Sequence, residues 1–276
     1  MHRIVFTLLF VAVVGCTEST KTTSAPPKTE PAATMNKPDA SKSAEPKSPE
    51  EEWISPDAKG PGIHQLTHKL STGTELRYTI DIPEGYDGRQ RVPLIFALHY
   101  GGKVTPWYGR GVIEILVRPA LDELRGIIVA PDSIAGPWTN ETNEQAVFEL
   151  MSHIKQTYNI EGRQVILTGF SMGGAGTWYV GGRSQDLFCA IVPVAGRPQT
   201  GIKEWIIPAY VIHSKADTVV PYAPAEAYTT KMKDAGYDFT LHSVEDTTHF
   251  NTAAFAEPLR EAVPWLRKKM EAAMNE

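Results

Sequence analysis

The chain has 276 residues, with 27 basic against 32 acidic side chains, a formal net charge of -5 and 42% hydrophobic content. No basic excess is available to neutralise phosphates, so a nucleic-acid-binding role is excluded as a first reading. Two cysteines, Cys16 and Cys189, are too few for a disulfide framework or a cysteine-rich metal centre, and a hydrophobic core must stabilise the fold.

At the amino end, Met1-His2-Arg3 precedes an apolar run from Ile4 to Val14, followed by Gly15-Cys16. A bilayer span needs about 20 such residues, so residues 1–15 read as a signal peptide. Val13-Val14-Gly15-Cys16 resembles the bacterial lipoprotein lipobox, which implies cleavage after Gly15 and acylation of Cys16. Several acyl chains on one residue would anchor the protein durably in a membrane. Thr17 is not the Asp that signals inner-membrane retention, which favours the outer membrane, with the folded part in the periplasm or at the cell surface. Residues 16–52 read as the lipidated Cys16 and a tether. Between Thr17 and Glu50 there is no Val, Ile, Leu, Phe, Trp or Tyr, and six prolines favour an extended chain that cannot bury enough apolar surface to fold. Folding is expected from Trp53 and, with no internal repeat or second linker, gives one domain over residues 53–276, expected to be monomeric or nearly so.

Within that domain, strand-like and helix-like patterns alternate. Ile63–Leu70 and Leu76–Ile82 suggest an opening antiparallel pair. Val92–Leu98, Gly126–Ala130, Gln164–Thr168, Ala190–Val194 and Ala209–Ile212 are short, nearly continuous apolar runs that suit strands buried on both faces. Helical patterns fall at Val112–Leu124, Glu144–Tyr158, Met172–Val180, Ala223–Ala235 and Thr252–Lys269. The series predicts an α/β fold, a mostly parallel doubly wound sheet with helices on both faces. Right-handed crossovers then gather the loops after the strands along one carboxyl edge, where sites form. Cys189, in the apolar run Cys189-Ala190-Ile191-Val192, is expected in the core.

The sharpest motif is Gly169-Phe170-Ser171-Met172-Gly173-Gly174, which matches G-x-S-x-G between the strand Val165–Thr168 and a helical stretch. Small residues at 169 and 173 permit a sharp turn that exposes the Ser171 hydroxyl and points a helix amino terminus at it. This stretch, with Leu187–Gly196, resembles the α/β-hydrolases. Within them it is similar to the exported esterase and predicted-peptidase group that includes polyhydroxybutyrate-depolymerase-like and feruloyl-esterase-like enzymes. The resemblance covers about residues 62–270 and implies the order nucleophile, acid, histidine. His213-Ser214-Lys215-Ala216-Asp217 is similar to the family's acid segment and Glu245-Asp246-Thr247-Thr248-His249 to its histidine loop. Ser171, Asp217 and His249 are therefore the expected triad, with Asp246 the alternative acid. Leu98-His99-Tyr100-Gly101-Gly102 is similar to the family's oxyanion turn. It implies backbone donors at Met172 and at Tyr100 or Gly101, with His99 holding the loop.

Trp107, Trp138, Trp205 and Tyr222 fall on predicted carboxyl-edge loops and are candidate substrate-pocket residues. No lid-like insertion separates Val194 from Ala209, and no metal-ligand spacing or phosphate-binding glycine loop is found, so no metal or other cofactor is expected. The expected activity is hydrolysis of carboxylic esters, carbohydrate-linked, aromatic or short-acyl, through an acyl-enzyme on Ser171. A peptidase with the same triad, and an inactive binding protein on the same scaffold, are the alternatives.

Overall fold

The computed structural model describes residues 55–199, 201–202 and 204–275. The expected signal peptide, the lipobox-like segment with Cys16, the expected tether and Trp53 lie outside the described residues.

Eight strands follow the apolar runs: β1 (Gly62–Lys69), β2 (Glu75–Ile82), β3 (Val92–Leu98), β4 (Ile127–Pro131), β5 (Ile160–Phe170), β6 (Ala190–Val194), β7 (Ala209–Ser214) and β8 (Phe239–Val244). They form one sheet in the order β1-β2-β4-β3-β5-β6-β7-β8. β2 runs antiparallel to both of its neighbours, and β3 to β8 are mutually parallel. From β3 the chain moves to β4 on one side and then to β5 on the other, so the loops leaving β3 and β5 diverge at the carboxyl edge and open a crevice between them.

The helices are α1 (Arg110–Val112), α2 (Arg118–Leu121), α3 (Glu141–Thr157), α4 (Met172–Arg183), α5 (Tyr222–Asp234), α6 (Ala256–Arg260) and α7 (Val263–Ala273). Because strand side chains alternate between faces, the central strands feed two cores. Leu94, Phe96 and Leu98 pack with Leu150, Trp178 and Ala225 of α3, α4 and α5. Ile95 and Ala97 pack on the other face with Leu116, Leu121, Leu259 and Leu266. Cys189 is a buried free thiol in this second core, and burial pushes its pKa up to about 12.

Two expected helices are interrupted. The run over Val112–Leu124 is α1, a π-helical turn at Ile113–Val117, α2 and a closing 3-10 turn at Asp122–Leu124. Pro119 has no N–H to donate and its ring crowds the carbonyl four residues back, so the chain widens, and Arg118 N–H bonds the Ile113 carbonyl instead. The run over Thr252–Lys269 divides into a 3-10 turn at Thr252–Phe255, α6 and α7, with Pro264 in the first turn of α7, where a missing donor is tolerated.

Close approach at the β5–α4 turn dictates two glycines. A Cβ on Gly169 would lie 2.5 Å from the Gly173 carbonyl oxygen, and one on Gly173 only 1.9 Å from that of Leu98. The clash at Gly173 is with backbone, at the end of β3 where the next loop begins. Gly173→Ala should therefore cost about 3 kcal/mol of stability, with activity lost beyond what unfolding explains, as measured by thermal unfolding and specific activity. Gly162→Ala is the control, since a Cβ there meets nothing within 4 Å; equal stability of the two variants would contradict the argument.

Candidate active site

Ser171 sits between β5 and α4 with φ 57° and ψ -112°, a backbone conformation that L residues rarely adopt. Such a residue stores on the order of 1–3 kcal/mol, held here by the strand before it and the helix after it. Its own N–H bonds the Val194 carbonyl at 2.9 Å, and its hydroxyl projects into the crevice. Met172 opens α4, so its N–H has no partner within the helix and lies at the positive end of the helix dipole.

The loops after β7 and β8 bring two further side chains to this hydroxyl. Ser171 Oγ lies 2.7 Å from His249 Nε2, and His249 Nδ1 lies 2.6 Å from Asp217 Oδ2. The carboxylate can only accept, so Nδ1 carries the hydrogen and Nε2 is left to accept the serine proton. The Asp217 and His249 side chains are almost completely buried. The other oxygen of Asp217 accepts the backbone N–H groups of Val219 and Val220 at 2.9 and 2.8 Å, which pins the carboxylate to its own loop. Asp246 is exposed and makes no hydrogen bond to His249. His213 lies behind the carboxylate, with Nε2 3.5 Å from Asp217 Oδ2 and donating to the Val220 carbonyl at 2.8 Å.

On the other side of Ser171, the turn after β3 is held by a buried network. Ser133 N–H donates to His99 Nε2 at 3.0 Å, so Nδ1 bears the hydrogen and donates it to the Tyr100 carbonyl at 2.8 Å. Trp138 Nε1–H donates to the His99 carbonyl at 2.9 Å. Asp132, at the end of β4, accepts the N–H groups of Trp107 and Gly109 and fixes the adjoining segment. Because a trans peptide is planar, anchoring the Tyr100 carbonyl turns the Gly101 N–H the opposite way. Gly101 faces Met172, whose Cβ would stand 3.8 Å from a Cβ at that glycine.

Burial lowers the pKa of both His99 and His213 below the ordinary histidine value of 6.5. The unfolded chain then binds more protons than the folded one just below pH 6.5, so the contribution of these neutral imidazoles is fully present above that pH and lost as pH falls through 6.5 towards the folded-state values. Urea unfolding should show lower stability at pH 5.5 than at pH 7.5, by up to about 1.4 kcal/mol per pH unit for each histidine. Equal or higher stability at pH 5.5 than at pH 7.5 would contradict the neutral assignment.

A cleft of about 580 Å³ opens over Ser171 and His249, walled by Tyr100, Ile115, Val219 and Phe250. A larger groove of about 750 Å³ lies at the opposite, amino edge of the sheet, between Gly162, Pro208 and Asp238, away from this chemistry. None of Trp107, Trp138, Trp205 and Tyr222 walls the cleft, which corrects their reading as pocket residues. Trp107 donates its indole N–H to the Leu66 carbonyl. Trp138 is buried behind the turn, Trp205 packs against Trp178 and Phe239, and the Tyr222 hydroxyl meets Ser243 Oγ at 2.6 Å. Each indole satisfies its polar tip inside the fold, and Trp138 and Trp205 bury their rings as well, which a position after a strand end does not reveal. The wall residues Val219 and Phe250 lie two and one residues after Asp217 and His249, so the motifs already located their loops. Ile115 had no such signal, because the π-helical turn decides where it points.

The strand order, the sharp β5–α4 turn and the crevice define an α/β-hydrolase fold. The chain belongs to the dienelactone hydrolase family, whose model matches residues 130–275. Among curated proteins it is similar to "Probable feruloyl esterase C" of Aspergillus niger, 26% identical over 175 residues that make up 58% of this chain and 59% of that protein. It is also similar to "Feruloyl esterase C" of Emericella nidulans, 27% identical over 181 residues, 59% of this chain and 64% of that protein. The chain thus spans about three fifths of the length of these relatives. Its fold resembles a thermostable esterase (TM-score 0.63, 23% identity, covering 75% of this chain and 62% of that one). It also resembles the feruloyl esterase module from Clostridium thermocellum complexed with sinapinate (TM-score 0.62, 18% identity, 74% and 87%).

Proposed function

We propose that this protein is a serine hydrolase that cleaves carboxylic esters through an acyl-enzyme on Ser171. The observation that carries the reading is the unbroken hydrogen-bonded line from Ser171 Oγ through His249 to Asp217, lying beside the unpaired N–H of Met172. In this reading His249 takes the Ser171 proton as Oγ attacks the ester carbonyl, and Asp217 holds the imidazole in the required tautomer. The developing oxyanion is received by the N–H groups of Met172 and Gly101, with His99 orienting the Tyr100–Gly101 peptide from behind. As the tetrahedral intermediate collapses, the carbonyl carbon loses its bond to the alcohol oxygen, which takes the proton from His249. Water then attacks the acyl-enzyme by the same route and releases the acid. Similarity to proteins named feruloyl esterase supports an aromatic acyl ester as this chain's substrate, with carbohydrate-linked and short-acyl esters the alternatives.

A panel of p-nitrophenyl acyl esters, a feruloyl ester, acetylated xylan and a peptide tests the reading. Turnover of the esters and not of the peptide is expected, and a protein that cleaves only the peptide would overturn it. Among the described residues no helix is long and apolar enough to cross a membrane. We infer that attachment, through the lipobox-like Val13-Val14-Gly15-Cys16, is by acylation of Cys16. An alkynyl fatty acid fed to cells should label the wild type and not Cys16→Ser; equal labelling, or none in the wild type, would refute the anchor.

A further inference from the structure

Six large apolar side chains are notably exposed among the described residues, and three of them, Ile115 (41%), Val219 (49%) and Phe250 (84%), stand around the cleft that holds Ser171. They come from opposite sides of β5. Ile115 projects from the π-helical turn after β3, beside Tyr100, whereas Val219 and Phe250 ride on the loops after β7 and β8. Since β5 separates β3 from β6, β7 and β8 in the sheet, Ser171 lies between the two groups.

The chemistry gives each side a different half of the ester. A leaving alcohol can be protonated only if its oxygen reaches His249 Nε2, so the alcohol must depart towards the loop that carries His249. Phe250 is the next residue in that loop, its ring perpendicular to the imidazole with centroids 6.0 Å apart. The acyl carbon chain, attached to the same tetrahedral carbon, points away from His249 towards the wall formed by Tyr100 and Ile115. Tyr100 is fixed there by edge-on contacts with Tyr108 and Phe170, and its hydroxyl closes against Gly111.

We propose that the cleft is divided into two specificity walls, with Phe250, supported by Val219, contacting the leaving alcohol and Ile115, supported by Tyr100, contacting the acyl group. The proposal rests on the acyl-enzyme reading, and that reading supplies its test. Once the alcohol has left, the acyl-enzyme is the same whichever ester formed it. A side chain that touches only the alcohol is therefore expected to act on acylation and to leave deacylation, in which water takes the alcohol's place, unchanged, whereas one that touches the acyl group changes both.

The experiment compares methyl and benzyl esters of acetic and butyric acid, whose alcohols have similar basicity and different bulk, and follows deacylation separately by rapid quench with the p-nitrophenyl esters of the same two acids. Phe250→Ala should lower kcat/KM for the benzyl esters about three- to tenfold relative to the methyl esters, whichever acid they carry, and leave both deacylation rates unchanged. Phe250→Trp should restore the benzyl preference. Ile115→Ala should change the butyrate-to-acetate ratio by a similar factor, equally for both alcohols, and change the deacylation rate of the butyryl-enzyme. The division is overturned if Phe250→Ala alters deacylation or affects methyl and benzyl esters alike, or if the effect of Ile115→Ala depends on the alcohol. Failure of the underlying reading has a different signature, turnover that survives Ser171→Ala.

Discussion

Ser171→Ala is expected to lower ester turnover by about 10⁶ while leaving the fold in place. Among the described residues the hydroxyl is the one nucleophilic atom hydrogen-bonded to His249 Nε2, and the substitution removes it without altering the neighbouring glycine contacts. A companion variant separates chemistry from strain. At φ 57° and ψ -112°, Ser171 is in a region that glycine enters at little cost, so Ser171→Gly should be as inactive as Ser171→Ala and unfold at a higher temperature than either the wild type or the alanine variant. Matched melting temperatures for the three proteins would show that the turn stores no strain.

Asp217→Asn is expected to cost about 10⁴ in turnover. Asparagine keeps the oxygen that accepts the N–H groups of Val219 and Val220, so the loop stays pinned. It places an amide N–H against His249 Nδ1, however, which forces the imidazole into the tautomer that cannot accept the serine proton. Asp246→Asn should change turnover by no more than a few fold, because Asp246 is exposed and has no bond to the imidazole. Kinetic constants for the two variants, with thermal transitions as the control on folding, decide the matter; the reverse ranking would move the acid to the histidine loop.

Much of this architecture was legible in the chain. Strand positions could be read because the parallel sheet is buried on both faces, which turns β3, β5, β6 and β7 into apolar runs broken by loops. The β5–α4 turn could be read because its geometry admits only glycine at 169 and 173. What could not be read was set by contacts between distant segments. Pro119 marks a disturbance in the run over Val112–Leu124, but its resolution as a π-helical turn that leaves Ile115 at the cleft depends on Leu116 and Val117 packing into the second core. The four aromatic residues taken for pocket walls failed for a related reason. Placement after a strand puts a residue at the right edge of the sheet, while the direction of a large ring is chosen by whatever can bury it, as Trp178 and Phe239 bury Trp205. Conversely, Phe250 has no burial partner to hide it, and its significance comes from adjacency to His249.

The acyl-enzyme requires a covalent acyl group on Ser171, and mass spectrometry of the protein quenched during turnover of a slowly deacylating ester detects it. Intact mass should rise by that of one acyl group, the adduct should map to the peptide containing Gly169-Phe170-Ser171-Met172-Gly173, and a fluorophosphonate added beforehand should prevent it. An adduct on another residue, or full ester turnover with no adduct and no loss of activity after fluorophosphonate treatment, would contradict the account.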